Sequence, residues 1–556
     1  MNALPLFTPT NTARAEAAPY AGPVWRPVRL VLTATQKWLL PLGVLAFDVL
    51  FWQQGLGLNL AIYTLLAVLA LLAGQPRAAW RSGYFRLVLL GALVSCGAVA
   101  WYGSATAALA CTGSLLMLWG YANQPPLKQA ALALLTGLGA AAQVVTGLPA
   151  LLLRALPSRD TKAGRAGWYV RLLLVPVLIL GVFHMLFVLA NPRYSQLVGR
   201  AWQALGEWLG RFFELLSLGH LLFLVLGLMV TAAALLRVPL PGLAQWEARF
   251  GELVRRRRDG VASFSVPRPD FRRRDFRTAD LRKEYLAALA VFGLVNLLLL
   301  AVNAIDISWI WIDFRPEPGF DLAQFVHEGT YVLIFSILLA MGIVLWFFRR
   351  NLNFYQPGLP VLRWGATVWV LQNAVLAVSV GVRNYHYISR MGLAYKRIGV
   401  CFFLLLTLFG LLTILLKIWQ RRSAFALVRL NSVAAYLVLL ALAVGNWEVW
   451  IVRYNLTVGF PQVDYGFLLD MPGRVLPALV KHRAILNRTK HITRDAGGFY
   501  SLYEEVSPAV AQRMLDERVR RWQQRYQAQA SWQDWNYMDW RAHQQLPAAD
   551  KAPSTH

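Results

Sequence analysis

Residues 303–331 read NAIDISWIWIDFRPEPGFDLAQFVHEGTY and separate two long apolar runs, at about 286–305 and 323–348. The stretch holds five acidic residues and one arginine, whereas the whole chain has 55 Lys and Arg against 28 Asp and Glu. Each flanking run is about as long as the ~20 residues that an α-helix needs to cross a bilayer. The pattern predicts two membrane-spanning helices joined by an acidic segment at the membrane surface.

The same kind of apolar run recurs along the 556 residues, of which 57% are hydrophobic and only 15% are charged. A soluble domain has roughly a quarter of charged residues. We therefore predict an all-α, polytopic integral membrane protein with eleven or twelve spans. The twelve runs lie at about 38–54, 58–74, 86–102, 105–121, 130–153, 171–190, 217–236, 286–305, 323–348, 363–382, 398–417 and 427–448.

The spans divide the chain into five regions. We expect a disordered cytoplasmic tail at 1–37 with no signal peptide, an N-terminal bundle at 38–236 and a basic cytoplasmic loop at 237–284. A C-terminal bundle at 285–448 and a soluble helical region at 449–556 follow. Helical spacing of Val198, Trp202, Leu205, Leu209 and Phe212 predicts an interfacial helix near 195–216.

The formal net charge of +27 predicts contacts with the bilayer and with anionic lipid headgroups, above all at the loop 237–284. We expect no nucleic-acid partner, because basic loops are also what orients a multi-pass protein. Cys96, Cys111 and Cys401 all lie inside apolar runs, and no disulfide framework, metal site or cofactor is predicted.

Charge places the N-terminus in the cytoplasm and the C-terminal region outside it. The turns at 53–55 and 103–104 carry no basic residue, whereas the connection between them carries Arg77, Arg81 and Arg86. The basic segment 154–171 breaks this alternation, and we suspect that the run 130–153 does not cross. The loop predicted at 383–397 is unusually basic for an outer loop.

Two predicted outer connections supply the candidate polar cluster. One is acidic and the other basic, so we expect them to attract each other at the mouths of neighbouring spans. The interpretation as an interhelical clamp and the interpretation as a polar cavity for a charged ligand both remain open. The cluster comprises Asp306, Asp313, Glu317, Asp321, His327, Glu328, Arg383, His386, Tyr387, Arg390 and Arg397.

Four further polar residues lie within or at the ends of predicted spans. Ionisable groups at such depth are costly and are the default functional candidates of a membrane protein. Their alternative roles are contact with interfacial water for Asp48, packing for His184, and bonds to a neighbouring helix for Gln372 and Asn373. No phosphate loop, serine elbow or zinc helix is present, and no catalytic residue is assigned.

Five stretches resemble a family of bacterial membrane proteins known as domain of unknown function 4173, with its relative 4153. They are 42–59, 183–192, 327–329, 383–397 and 453–455, the last reading Arg-Tyr-Asn. The sequence departs from the family's pattern at Asn191, Thr330, Met391 and Ala394. The resemblance covers about residues 38–545 and implies a multi-pass protein of the bacterial inner membrane, without an activity.

Three functions are compatible with these features. The first is a non-enzymatic membrane component, such as an envelope scaffold or a signalling partner. The second is a transporter of an ion or a small charged solute. The third is a membrane-embedded transferase or hydrolase that acts on a lipid-linked substrate, for which Asp306, His327 or Glu328 would have to meet Arg390 around one cavity.

Overall fold

A computed structural model of the chain confirms the all-α, polytopic membrane class. It describes residues 33–73, 77–155, 217–236, 240–254, 278–312, 314–315, 322–349, 351–458, 460, 462–486, 490–494, 503–529 and 531–547, with scattered residues between 176 and 206. Within these ranges, eight helices are long and apolar enough to cross a membrane. Most of the predicted span 171–190, interfacial helix 195–216 and tail 1–37 lie outside the described residues.

The N-terminal helices follow the predicted apolar runs, and serine residues set where several of the membrane helices begin. Ser82, Ser104, Ser217 and Ser423 each accept a hydrogen bond from the backbone N–H three residues further on, a cap that stabilises a helix by about 1 kcal/mol. The helices are α1 (Ala34–Phe51), α2 (Leu58–Ala73), a short turn at Arg77–Arg81, α3 (Gly83–Tyr102), α4 (Ala105–Asn123), α5 (Ala130–Ala155), α6 (Leu218–Leu235) and α7 (Pro241–Ala248).

The C-terminal membrane helices pack around a core that includes Phe292, Trp369 and Ile414, all of them buried. The helices are α8 (Thr278–Asp306), which continues as a π-helix at Ile307–Ile312, α9 (Leu322–Phe347), a 3-10 turn at Asn351–Phe354, α10 (Leu359–Met391), α11 (Tyr395–Gln420) and α12 (Ala424–Ala443).

Helix α12 joins the two bundles. The Tyr436 hydroxyl lies 2.8 Å from Ser114 Oγ of α4, and Thr106 Oγ1 donates to the Leu442 carbonyl at 3.4 Å. Gly91 of α3 faces the Tyr436 ring so closely that a Cβ there would overlap its hydroxyl. A helix that we assigned to the C-terminal bundle therefore also packs into the N-terminal one.

The described residues between 447 and 547, here called the C-terminal cap, pack around a core that includes Tyr465, Leu476 and Leu515. Its helices are α13 (Trp447–Thr457), α14 (Tyr465–Asp470), a 3-10 turn at Gly473–Val475, α15 (Leu476–Lys481), α16 (Arg483–Leu486), α17 (Pro508–Gln529) and α18 (Tyr537–Gln545). Strands β1 (Gln462–Asp464) and β2 (Lys490–Arg494) pair in parallel, and β2 pairs antiparallel with β3 (Tyr503–Val506). Helix α17 begins at Pro508, and Ala511, Leu515 and Val519 form its buried stripe.

The C-terminal cap contacts one end of the membrane helices, here called the cap face. The backbone N–H groups of Leu58 and Asn59 donate to the carbonyls of Trp535 and Gln533, at 2.9 and 2.7 Å. The Arg474 guanidinium donates to the carbonyl of Tyr102. The aromatic segment 532–540 thus lies on the turns that follow α1 and α3.

The connections at the other end of the bundle, here called the opposite face, also contact one another. The Glu247 carboxylate accepts from the backbone N–H groups of Lys128 and Gln129, at 2.8 to 3.2 Å. The backbone N–H of Val254 donates to the carbonyl of Arg421 at 2.8 Å. Residues 240–254 of the predicted basic loop therefore tie the two bundles together, while residues 255–277 lie outside the described part.

The run 130–153 forms nearly all of α5, a continuous helix antiparallel to α4. Gly120 abuts Ala133 and Gly137 abuts Leu116. Helix α6 is antiparallel to α1, because Gln36 donates to the Leu235 carbonyl at the opposite face. Helix α5 thus ends at the cap face, and α6 begins at the cap face. A single crossing by the predicted span 171–190 between them would place these two ends at different faces, so the alternation that twelve spans require is not kept here.

The prediction of a loop at 383–397 is wrong. Helix α10 continues to Met391, and the connection to α11 is only residues 392–394. Hydropathy falls before the helix ends because its last turns carry polar side chains, and these have hydrogen-bond partners on neighbouring helices. Asn384 Nδ2, for example, donates to the Arg397 carbonyl at 3.0 Å.

Candidate functional site: a polar seam between two parallel helices

Asp306 and Arg383 form a buried ion pair near the cap face. Arg383 Nη2 lies 2.8 Å from Asp306 Oδ1, and the two residues are 8% and 5% exposed. Asp306 ends α8, and Arg383 lies on α10 rather than on a loop. Asp306 Oδ2 is buried and has no hydrogen-bond partner among the described residues. The carboxylate therefore depends on Arg383 for its charge compensation.

The π-helix beyond Asp306 brings more polar groups against α10. His386 Nε2 lies 2.9 Å from the Ile310 carbonyl, which belongs to the last turn of this helix, where carbonyls have no partner within the helix. Trp311 Nε1 donates to Ser379 Oγ at 3.0 Å. Phe314 stacks on the His386 ring with 4.5 Å between centroids. The stretch ISWIWI thus contacts α10 through the Ile310 carbonyl and through the Trp311 indole.

Amide side chains make further contacts between α8 and α10, on the side of the ion pair that is away from the cap face. These contacts and the ion pair of Asp306 and Arg383 are here together called the polar seam. Asn303 donates to the Gln372 carbonyl at 3.1 Å, and Gln372 Nε2 donates to Asn296 Oδ1 at 2.9 Å. Asn296 in turn donates to the Gly365 carbonyl at 2.9 Å. Residues 296 and 303 of α8 contact residues 365 and 372 of α10, and both pairs are 69 positions apart. Helices α8 and α10 therefore run parallel. A seven-residue repeat is typical of helices that supercoil left-handedly.

The remaining members of the predicted cluster do not join the ion pair within the described residues. Arg390 lies about two helical turns beyond Arg383, with its guanidinium carbon 5.7 Å from the centre of the Phe314 ring. Arg397 lies over the Tyr387 ring at 4.0 Å and donates to the Met391 carbonyl at 2.7 Å. Arg397 therefore donates to a carbonyl at the end of α10, where the helix dipole is negative.

Acidic members of the predicted cluster fall mostly outside the described residues. Asp313, Glu317 and Asp321 are among the undescribed residues that follow the π-helix. His327 and Glu328 lie in α9, but their side chains are not described. Of the five predicted carboxylates and His327, only Asp306 has a described contact with a basic member of the cluster, which is Arg383.

The other predicted intramembrane polar residues each have a protein partner. Asp48 Oδ1 of α1 lies 2.7 Å from His220 Nε2 of α6, and Trp52 stacks on the imidazole with 4.1 Å between centroids. His184 Nδ1 lies 2.9 Å from the Tyr194 hydroxyl. Asn373 donates to the carbonyl four residues earlier in its own helix, at 2.8 Å. Among the described residues, no group of three or more His, Cys, Asp or Glu could hold a metal ion.

Sequence reasoning missed Asn296, Asn303, Ser379 and His220 as partners. The first two could have been predicted, because Asn296 and Asn303 are seven residues apart in one apolar run. Gln372 and Ser379 have the same spacing in another run. His220 pairs with a residue 172 positions earlier, and no local pattern predicts such a contact.

Comparison with known proteins gives a family and no activity. A family model described as "Domain of unknown function (DUF4153)" matches residues 84–482, which is more than half of the chain. No curated protein matches the chain, and no solved structure matches it. The matched residues run from the start of α3 to the end of α15 and include the polar seam. The chain therefore belongs to the family of the domain of unknown function DUF4153.

Proposed function

We propose that this chain is a non-enzymatic scaffold or signalling partner in the inner membrane of a bacterium. The observation that carries this proposal is the C-terminal cap, which is bonded to turns of the N-terminal bundle and to the short connection between α10 and α11. Asn455 of α13 accepts from the backbone N–H of Leu393, which lies in that connection, and donates to the Leu393 carbonyl, at 2.5 and 2.9 Å. Such contacts favour one fixed arrangement of the two bundles.

Pairing of the intramembrane polar groups also supports a static role. The ion pair of Asp306 and Arg383 and the amide contacts between α8 and α10 stabilise one register of two parallel helices. A buried polar contact is best supported as a device that specifies register. We infer that the polar seam is an interhelical clamp.

Charge supports an orientation with the opposite face in the cytoplasm. The described part of that face includes Arg249, Arg349, Arg421 and Arg422, next to the basic segment at 255–277. The turns 53–57 and 103–104 on the cap face carry no Lys or Arg. The C-terminal cap is then extracytoplasmic. A membrane-impermeant thiol reagent should label Ser389→Cys in intact cells, and protection of that cysteine would reverse the orientation.

A transporter is the second candidate, and the pair of Asp48 and His220 favours it. Both side chains are 22% exposed at an interface between α1 and α6, and His220 Nε2 lies 2.7 Å from Asp48 Oδ1. Proton-coupled carriers use such carboxylate and histidine pairs. A transferase or hydrolase has weaker support, because Arg390 lies two turns away from the ion pair of Asp306.

Distance measurement between spin labels separates the scaffold from the transporter. Labels at Leu56→Cys and Ser389→Cys lie on exposed residues of the two bundles at the cap face, in a chain without Cys96, Cys111 and Cys401. A scaffold should give one narrow distance distribution at pH 5.5 and at pH 7.5. Two populations that exchange weight with pH would contradict the scaffold and favour transport by alternating access.

A further inference from the structure

A cavity of about 710 Å³ opens on the cap face between α13, the segment 473–482 and α18. Its wall is strongly basic. Arg453, Arg474, Lys481, His482 and Arg541 all line it, and none of the described residues that line it is Asp or Glu. A concave surface of one charge sign concentrates field lines and attracts ligands of the opposite sign.

Three of these cations have no assigned structural task. Arg474 is occupied, because it donates to the Tyr102 and Gly103 carbonyls and lies 3.5 Å from Asp539. By contrast, the side chains of Arg453, Lys481 and Arg541 are exposed and form no hydrogen bond or ion pair within the described part of the chain. Their positive charges therefore face the cavity and the solvent.

His482 reports the electrostatic character of this wall. Partial burial lowers its pKa, and the nearby positive charges of Lys481 and Arg453 lower it further. Like charges held this close repel each other, and a bound anion removes that repulsion. The imidazole also offers a hydrogen-bonding nitrogen to such an anion.

The cavity lies at the level where the membrane helices end. Asn446 and Val449 of its wall follow α12, and Arg474 reaches the last carbonyl of α3. Trp101 and Trp450 are 50% and 62% exposed at this level, as expected of the aromatic belt at a membrane surface. Apolar wall residues such as Met538 add a surface for a non-polar ligand segment.

We propose that this cavity binds the phosphate group of an anionic ligand, with Arg453, Lys481 and Arg541 supplying the charge. Guanidinium and ammonium groups are the side chains that hold phosphate oxygens. The volume is within the usual range of ~300–1,000 Å³ for small-molecule sites. The phosphate is either that of a lipid headgroup or that of a soluble ester. A scaffold needs no such ligand, so this proposal goes beyond the one above.

The test uses the purified full-length protein in phosphatidylcholine nanodiscs. One arm titrates inorganic pyrophosphate by calorimetry. The other measures retention of phosphatidylglycerol by native mass spectrometry after mixed nanodiscs are dissociated. Binding of pyrophosphate indicates a soluble phosphate ester, and selective retention of phosphatidylglycerol without pyrophosphate binding indicates a lipid headgroup. Failure of both probes would overturn the proposal.

Two charge-matched variants locate the binding. The first combines Arg453→Gln, Lys481→Gln and Arg541→Gln. The second combines Arg513→Gln, Arg520→Gln and Arg525→Gln, three exposed positions on α17 of the same C-terminal cap. We expect at least about tenfold weaker binding for the first variant and about unchanged binding for the second. Equal losses in both variants, with thermal unfolding unchanged, would show that only net charge matters and would refute the site.

Discussion

Replacing Arg383 with methionine is expected to lower the free energy of unfolding by about 3–5 kcal/mol, the usual cost of leaving one member of a buried ion pair without its partner. The cost arises at Asp306, which is 5% exposed and whose second oxygen has no hydrogen-bond partner among the described residues. The measurement is equilibrium unfolding of the purified protein in mixed micelles, followed by circular dichroism.

A double variant separates the loss of the pair from the loss of a side chain. Combining Asp306→Leu with Arg383→Met removes both charges, and apolar replacement of a buried pair is often neutral or stabilising. We expect the double variant to regain most of the stability lost by Arg383→Met alone. If the double variant is as unstable as the sum of the single variants, the ion pair does not hold α8 to α10.

Replacing Gly120 with valine is expected to cost at least about 2–3 kcal/mol, the upper part of the range for overpacked cores. A Cβ at Gly120 would lie 1.8 Å from the carbonyl oxygen of Ala133 and 2.5 Å from its carbonyl carbon. Backbone atoms of a helix cannot turn away as a side chain can. Helices α4 and α5 must therefore separate, and the midpoint of thermal unfolding in detergent should fall.

Gly113 provides the matched control in the same helix. A Cβ there would meet nothing within 4 Å, so Gly113→Val adds the same atoms and the same helix propensity change without the collision. We expect Gly113→Val to unfold near the wild-type temperature. Similar losses in both variants would point to helix propensity and not to the contact of α4 with α5.

Apolar runs predicted the class and the positions of most described membrane helices, because a spanning helix needs a fixed length of apolar sequence. The apolar runs failed to predict the end of a helix that continues through polar residues. Arg383 and Asn384 end the apolar run, yet α10 continues because partners on α8 and α11 satisfy both side chains. That the run 130–153 does not cross stays a prediction, and its Gly137 and Ala133 allow close backbone contact with α4.

The candidate site was predictable only in part. Opposite charges at neighbouring span ends predicted the meeting of Asp306 with Arg383, but the sequence left open whether they form a clamp or line a cavity. Contacts such as His220 with Asp48, or Arg474 with the Tyr102 carbonyl, join residues 172 and 372 positions apart. Only the packing of the whole chain determines such pairs. The basic cavity escaped prediction for the same reason, because α13, α15 and α18 each contribute a part of its wall.

The most direct test of the fixed C-terminal cap is hydrogen exchange at the backbone N–H groups of Leu58 and Asn59, which donate to Trp535 and Gln533. Gly57→Val should release this contact, because its Cβ would lie 2.3 Å from the Asp534 carbonyl oxygen. We expect slow exchange in the wild type and in a Gly97→Val control, whose Cβ meets nothing within 4 Å, and fast exchange in Gly57→Val. Equally fast exchange in all three proteins would contradict a cap that is fixed to the membrane helices.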